Sequence, residues 1–119
     1  MNRGKNQIGI LGGSFDPVHM GHIGLAQETH ERFSLDQILF LPVFQSPHKP
    51  HIPLASSTHR MAMLRLALKG NTHFSISDTE LRREEVSYTI DTINRFRLKY
   101  SSSELYLIMG YDNLLDLDL

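Results

Sequence analysis

The chain has 119 residues, of which 40% are hydrophobic and 21% are charged. This composition is typical of one globular domain with a single core, so we expect one domain over residues 1–119. Twelve basic and thirteen acidic side chains give a formal charge of −1, which argues against a basic surface for nucleic acid or anionic lipid. Cysteine is absent, which excludes disulfides and thiolate chemistry and fits a cytoplasmic location.

Nothing in the sequence predicts export or a membrane partner. Arg3 and Lys5 precede the apolar stretch Ile8–Leu11, which is far too short for the core of a signal peptide. The run Ile38–Leu41 has the length of a strand, whereas a membrane-spanning helix needs about 20 apolar residues. We therefore expect neither a membrane nor a nucleic-acid partner.

The first part of the chain predicts strand, loop, helix and strand. The apolar run Ile8–Leu11 predicts a first strand, which ends at a pair of glycines. Beyond Pro17, apolar side chains recur at helical spacing as far as Phe33 and predict a first helix. Gln37–Phe44 is the second predicted strand. Four prolines in Pro42–Pro53 predict a loop, because proline interrupts helices and lacks a ladder donor.

The remaining elements continue the alternation. Residues 56–58 are hydroxyl side chains that can cap a predicted helix over His59–Leu68. The alternating pattern over Phe74–Asp78 predicts a short strand near a sheet edge. Two further elements complete the pattern: a helix that begins at Ser87 or Thr89 and runs through Leu98, and a strand over Leu105–Met109.

Alternating strands and helices predict an α/β fold, a Rossmann-like doubly wound parallel sheet. Right-handed crossovers place strands one to three in succession and return strand four beside strand one, in the order 3-2-1-4. This order brings the loop Gly12–His22 next to the loop Gly110–Asp112, at the switch point where such sheets bind ligands.

The loop Gly12–His22 has the features of a phosphate-binding segment. Its glycines allow close backbone approach, and the helix that follows offers amide donors to an anion. Neither the dinucleotide spacing G-x-G-x-x-G nor the loop G-x-x-x-x-G-K-[ST] is present. His19 and His22 are three residues apart and can project from nearly the same face. An isolated histidine is more often a cap or a core side chain, but a pair in this loop suits nucleotidyl transfer.

The segment G-G-S-F-D-P-V-H-M-G-H, residues 12–22, resembles the H-x-G-H motif of the nucleotidyltransferase superfamily, which transfers AMP or CMP to phosphate-bearing acceptors. The resemblance implies that His19 and His22 are catalytic residues that contact the nucleoside triphosphate. It also implies ATP binding by the small residues and the aromatic of the loop, Gly12, Gly13, Ser14, Phe15 and Gly21.

Two further segments resemble the nicotinate-nucleotide branch of that superfamily. Ser46-Pro47-His48-Lys49 resembles its P-H-K element, which implies catalytic and acceptor-binding roles for Lys49, although a loop lysine is ordinarily solvated. Residues 87–92 resemble its S-Y-T-x-D-T element, which implies that nicotinate mononucleotide is bound by Tyr88, Thr89 and Asp91. The plain interpretation of this second segment is a helix N-cap, which is compatible with binding.

Weaker similarities lie at other positions. Gly110-Tyr111-Asp112 resembles a G-x-D element, which implies ATP binding by Gly110 and acceptance of ribose hydroxyls by Asp112, although Tyr111 replaces a small residue. Glu80 and Arg83 resemble an E-x-x-R pair of the same branch. Arg60 and Met61 also resemble part of a stretch in that branch, although an exposed cation beside a core methionine is the plain interpretation.

Together these motifs identify the chain as similar to the bacterial nicotinate-nucleotide adenylyltransferase family. The resemblance implies transfer of AMP from ATP, bound with Mg²⁺, to nicotinate mononucleotide, giving nicotinate adenine dinucleotide and pyrophosphate in NAD biosynthesis. Family members are longer and carry an I-S-S-T-x-I-R triphosphate clamp and an aromatic that this chain lacks. We therefore expect a chain truncated at its C-terminus, with little activity and with an exposed apolar sheet edge that favours self-association.

Three alternatives remain open at the sequence level. The chain resembles pantetheine-phosphate adenylyltransferases and cytidylyltransferases in its first motif, so another phosphate acceptor is one alternative. A catalytically inactive remnant is a second. The third is a zinc or nickel site built from His19, His22, His48 and His51, which prolines beside the second pair and the motif around the first pair both disfavour. We expect no resident metal site.

Overall fold

The structure is a computed structural model that describes residues 6–44, 55–83 and 89–108. Within these ranges, four strands and four helices follow one another in the order β1 (Asn6–Gly13), α1 (Met20–Arg32), β2 (Gln37–Pro42), α2 (Ser57–Leu68), β3 (Phe74–Ile76), α3 (Thr79–Arg83), α4 (Thr89–Lys99) and β4 (Ser103–Ile108). Among the described helices, none is long and apolar enough to cross a lipid bilayer.

The strands form one parallel sheet in the order β3-β2-β1-β4, which confirms the predicted α/β class and strand order. β1 is the central strand, and its Ile10 lies opposite Leu39 of β2 and Leu107 of β4. In the described part of the chain, β3 forms one edge of the sheet, as its weak sequence pattern predicted, and β4 forms the other.

Apolar side chains cover both faces of the sheet, as a doubly wound fold requires. One cluster packs the sheet against α1 and α2, and its buried members are Leu11, Phe15, Ala26, Leu35, Ile38, Phe40, Leu64, Leu68 and Ile108. The other packs the sheet against α4, and its buried members are Ile8, Ile10, Leu39, Leu41 and Phe96. β1 therefore contributes to both layers through its alternating side chains.

Gly9 allows the first of these layers to close over the central strand. A Cβ atom at this position would lie 2.7 Å from Ile108 Cδ1 and 2.9 Å from Cδ1 of both Ile38 and Leu35. Real Cβ contacts are not this short, so the three side chains occupy the space that a larger residue would need.

Several element boundaries differ from the sequence prediction. β1 is Asn6–Gly13 rather than Ile8–Leu11, and α2 begins at Ser57 rather than His59. β2 ends at Pro42 rather than Phe44, because the carbonyls of Val43 and Phe44 turn to accept hydrogen bonds from a buried guanidinium. β3 ends at Ile76 rather than residue 78, and α3 begins at Thr79. The short helix α3 was not predicted. β4 begins at Ser103, two residues before the predicted start.

Candidate functional site

The carboxyl ends of the strands define the edge of the sheet at which the predicted loop lies. Gly12 and Gly13 are the last residues of β1, and Gly13 is in register with Pro42 at the end of β2. Leu11 is in register with Ile108 at the end of β4. The loop from Ser14 to the start of α1 therefore leaves the sheet between the ends of its two neighbouring strands, as expected for a switch point.

His19 and His22 form a reciprocal cap at the start of α1. His19 is the N-cap residue, and its Nδ1 accepts a hydrogen bond from the Gly21 N–H at 3.1 Å. His22 Nδ1 in turn accepts from the His19 N–H at 3.0 Å. The two rings stack with centroids 3.8 Å apart and an interplanar angle of 30°. The arrangement is a capping box in which imidazoles replace the usual hydroxyl and carboxylate.

The cap determines which ring nitrogens are available to a ligand. Because both Nδ1 atoms accept backbone hydrogen bonds, the proton of each neutral ring is on Nε2. Burial, and secondarily the neighbouring His19, lower the pKa of His22 from its usual 6.5, which favours the neutral ring. The pair thus presents two adjacent Nε2–H donors while its other nitrogens hold the helix start.

Gly21 provides the space in which the His19 ring lies. A Cβ atom at position 21 would be 2.8 Å from His19 Cε1 and 3.0 Å from its Nδ1. A side chain at this position would displace the ring and break the Nδ1 hydrogen bond. The glycine between the two histidines is therefore explained by steric space.

Phe15 packs against one ring of the histidine pair. It is only 2% exposed, and its ring meets the His22 ring edge-on at a centroid distance of 4.8 Å and lies 5.7 Å from the Phe40 ring. Its φ of 48° lies in the left-handed region, which is unusual for a bulky residue and costs on the order of 1–3 kcal/mol. Such a conformation persists where the surroundings fix it, and it occurs here next to the candidate site.

Arg60 is buried, which contradicts the expectation of an exposed helix cation. Arg60 is only 2% exposed. The three nitrogens of its guanidinium group donate hydrogen bonds to the carbonyls of Ser14, Val43, Phe44 and Ala55. Desolvation lowers the pKa of its guanidinium, and the opposing influence of nearby Asp16 raises it. The physical reason for the wrong prediction is that these acceptors come from three separate segments, none visible in the local sequence.

The sequence carried one signal for this burial. Arg60, Leu64 and Leu68 recur at intervals of four, and both leucines are buried, so the arginine lies on the apolar face of α2. A cation buried at such a position needs hydrogen-bond acceptors, because an unpaired buried charge is costly.

The start of α4 lies at the same edge of the sheet as the histidine pair but on the opposite face. α1 and α4 each precede a strand parallel to β1, so both begin near the carboxyl ends of the strands. Thr89 is the first residue of α4 and Asp91 lies exposed in its first turn. Thr89 and Asp91 therefore lie at the same edge of the sheet as the histidine pair.

A buried polar pair joins α3 to α4. Glu80 is 1% exposed and Thr92 is 6% exposed, and Thr92 Oγ1 donates to Glu80 Oε1 at 3.2 Å. The only sequence feature at Glu80 was its similarity to an E-x-x-R pair, whose Arg83 is the last residue of α3. The pair fixes the start of α4 relative to α3.

Several predicted site residues lie outside the described residues. They are Lys49 with its neighbours Ser46, Pro47 and His48, then His51, Tyr88, Gly110, Tyr111 and Asp112. The described ranges contain no group of three or more His, Cys, Asp or Glu side chains that could hold a metal ion. The alternative four-histidine site remains untested, since two of its members are among the residues not described.

A match to a known family covers nearly the whole chain. The family model described as cytidylyltransferase-like matches residues 10–119. The chain belongs to the cytidylyltransferase-like family. The match begins inside β1 and includes the loop with the two histidines, which agrees with the resemblance found in the sequence.

Relatives within this family include proteins named probable nicotinate-nucleotide adenylyltransferase. One from Thermomicrobium roseum is 46% identical over 112 residues, which are 94% of this chain and 52% of that protein. One from Opitutus terrae is 48% identical over 113 residues, which are 95% of this chain and 58% of that protein. The chain spans about half the length of the relatives it matches.

Solved structures share the fold of this chain at low sequence identity. A Plasmodium falciparum nicotinic acid mononucleotide adenylyltransferase complexed with NaAD has a TM-score of 0.76 and 18% identity, over 92% of this chain and 54% of that one. A putative nicotinate-nucleotide adenylyltransferase from Vibrio parahaemolyticus has a TM-score of 0.73 and 20% identity, over 92% of this chain and 60% of that one.

Proposed function

We propose that this chain provides the nucleotide-binding part of an adenylyltransferase that transfers AMP from ATP to nicotinate mononucleotide. The products are nicotinate adenine dinucleotide and pyrophosphate. The observation that carries the proposal is the reciprocal histidine cap, which leaves two Nε2–H donors side by side at the sheet edge. The names of the relatives support the choice of acceptor. The proposal includes one nucleotidyltransferase domain over residues 1–119.

The proposed reaction is an in-line displacement at phosphorus. A phosphate oxygen of the acceptor attacks the α-phosphorus of ATP, and a new P–O bond forms as the bond from that phosphorus to the bridging oxygen breaks. Pyrophosphate leaves with the electron pair of the broken bond. His19 and His22 donate their Nε2–H groups to phosphate oxygens, where negative charge grows in the transition state. Neutral rings retain these donors without losing the cap.

The loop around the histidines completes the proposed ATP site. Gly12 and Gly13 end β1 without side chains that would obstruct a phosphate, and Gly21 leaves space for the His19 ring. Ser14 and Phe15 form the first part of the loop. Phe15 also fixes the position of His22 through the edge-on contact of their rings.

The other proposed site residues rest on the resemblance of their motifs. In this proposal Lys49, Tyr88, Thr89 and Asp91 bind nicotinate mononucleotide, with Lys49 also acting on the reacting phosphates. Gly110 and Asp112 bind ATP. The supporting observation for the acceptor site is the position of Thr89 and Asp91 in the first turn of α4, where a helix N-terminus favours a carboxylate.

We propose that Mg²⁺ enters with ATP. Mg²⁺ is commonly held by one or two carboxylates, substrate phosphates and waters, rather than by a cage of side chains. When bound, the ion would neutralise charge on the departing pyrophosphate. The cytoplasm is the proposed location.

A related transferase with another phosphate-bearing acceptor is the second candidate, because the matched family model is broader than one acceptor. Acceptor competition distinguishes the two. Pyrophosphate release from ATP and Mg²⁺ is measured with nicotinate mononucleotide, nicotinamide mononucleotide, phosphopantetheine or no acceptor. We expect release to depend on nicotinate mononucleotide, and preference for another acceptor would replace the first candidate with the second.

The histidine pair is tested by ATP binding, which does not require a complete acceptor site. We expect His19→Ala to weaken ATP binding about tenfold or more, because a hydrogen bond to a charged group contributes roughly 1.5–3 kcal/mol. Gly21→Ala is expected to weaken binding as well, since its Cβ would displace the His19 ring. Isothermal titration calorimetry measures both effects.

Gly24→Ala is the matched control for Gly21→Ala on the same helix. A Cβ at position 24 would meet no atom within 4 Å, so alanine should leave ATP binding unchanged while it stabilises the helix by about 1 kcal/mol. ATP binding that is equal in Gly21→Ala, Gly24→Ala and the wild-type chain would overturn the proposed role of the pair.

A further inference from the structure

Arg60 makes an unusual set of contacts for a buried cation. Its Nη1 donates to Ser14 O at 2.9 Å and to Val43 O at 2.6 Å, its Nη2 donates to Phe44 O at 3.3 Å, and its Nε donates to Ala55 O at 3.0 Å. The acceptors lie in the loop after β1, at the end of β2 and just before α2. One side chain therefore joins three segments at the carboxyl edge of the sheet.

Stability alone is a weak explanation for this arginine. All of its hydrogen-bond partners in the described ranges are neutral carbonyls. The nearby Asp16 raises the pKa of Arg60, but burial is the larger influence and lowers it, so the buried cation is costly. The fork geometry of a guanidinium holds several acceptors in fixed directions, which a lysine ammonium does not do. The more specific consequence of this arginine is that it fixes the orientation of the backbone carbonyls that it binds.

The Ser14 carbonyl is the acceptor next to the proposed nucleotide site. The peptide bond between Ser14 and Phe15 is trans, so its C=O and its N–H point in opposite directions. Because the carbonyl points to Arg60, the Phe15 N–H points away from it. Within the described residues this N–H has no hydrogen-bond partner. Phe15 has a left-handed φ of 48° and a buried ring beside this contact.

We infer that Arg60 is a positioning residue that orients the Phe15 N–H to donate to a phosphate of the bound nucleotide. The inference rests on the proposed function, since it places the phosphate beside the histidine pair. It adds a backbone donor to that site and assigns the orientation of this donor to Arg60, whose hydrogen bond to the Ser14 carbonyl spans 46 residues of sequence. Unpaired backbone amides in such loops are common donors to anions.

The test compares three variants of the full chain. Arg60→Met keeps an apolar stem and removes every donor, Arg60→Lys keeps the charge without the fork, and Arg65→Met removes an exposed arginine from the same helix. ATP affinity is measured by calorimetry, and the amide resonance of Phe15 is followed by ¹⁵N NMR as ATP is added. Circular dichroism establishes a temperature at which each variant is folded.

In the wild-type chain and in Arg65→Met, we expect ATP to shift the Phe15 amide resonance. Arg60→Met should lose this shift and bind ATP about tenfold more weakly, which corresponds to one charge-assisted hydrogen bond. Arg60→Lys should bind about threefold more weakly than the wild-type chain, and it replaces Arg60→Met if that variant does not fold. A merely structural role would lower the melting temperature without removing the Phe15 response in the folded variant.

Two outcomes overturn the inference and are distinguishable. If the wild-type chain binds ATP and a folded Arg60 variant binds it equally well with the Phe15 shift intact, the positioning role is wrong and the proposed function stands. If the wild-type chain does not bind ATP and Phe15 does not respond, the proposed function fails, and this inference fails with it.

Discussion

At the scale of single residues, His19 and His22 combine two roles that the sequence treated as alternatives. Capping uses Nδ1 of each ring, whereas the proposed ligand contacts use Nε2, so one pair can perform both. The sequence predicted the pair because its motif is contiguous. It did not predict the reciprocal cap, because histidine is not among the preferred N-cap residues.

The pKa of His22 can be measured and provides a test of its environment in the cap. Burial and, secondarily, His19 lower the pKa of His22 below its usual 6.5, so the unfolded chain binds this proton more readily than the folded chain. The resulting contribution to stability is present above pH 6.5 and is lost as pH falls below that value. We expect an NMR titration of the His22 ring to give a midpoint below 6.5.

The variant His19→Ala provides the comparison for this titration. It removes the neighbouring ring and exposes more of His22, so both causes weaken and the midpoint should move up towards 6.5. A wild-type midpoint at or above 6.5, or a downward movement in the variant, contradicts the assignment.

At the scale of elements, the main strands and helices were predictable because their apolar periodicity is local. The end of β2 was not predictable, because the carbonyls of Val43 and Phe44 accept hydrogen bonds from the distant Arg60 side chain. α3 has only five residues and therefore too few turns for a periodic pattern. The burial of Arg60 was missed because its acceptors are distant in the sequence, although its stripe with Leu64 contained the signal.

The central strand offers a prediction about packing. Gly9→Ala places a Cβ within 2.7–2.9 Å of three core side chains, so we expect overpacking to reduce the free energy of unfolding by about 1–3 kcal/mol. Gly12→Ala on the same strand is the control, because its Cβ would have its nearest neighbour, Leu41 O, at 3.8 Å. Urea denaturation measures both. Equal stabilities of the two variants would contradict the packing described for Gly9.

At the scale of the whole molecule, the strand order followed from general rules of handedness, and the two covered faces followed from the alternation along β1. The β4 edge of the sheet differs from the interior strands in its pairing and exposure. In the described part of the sheet, β4 pairs only with β1, and its Tyr106 and Leu107 are each 40% exposed. An open strand edge with apolar side chains on both faces is a surface that pairs readily with another strand.

We propose that two or more copies of this chain associate through this β4 edge. Light scattering after size exclusion should then give a mass above the 13.6 kDa of one chain, increasing with concentration. The double variant with Tyr106→Lys and Leu107→Lys should return the mass to that of a monomer, because edge lysines oppose strand pairing. Leu98→Lys is the control, since Leu98 is 83% exposed and belongs to α4 rather than to the edge strand. A monomeric wild-type chain at all concentrations, or a double variant with wild-type mass, contradicts association through β4. A loss of mass in Leu98→Lys alone assigns the contact to α4 instead.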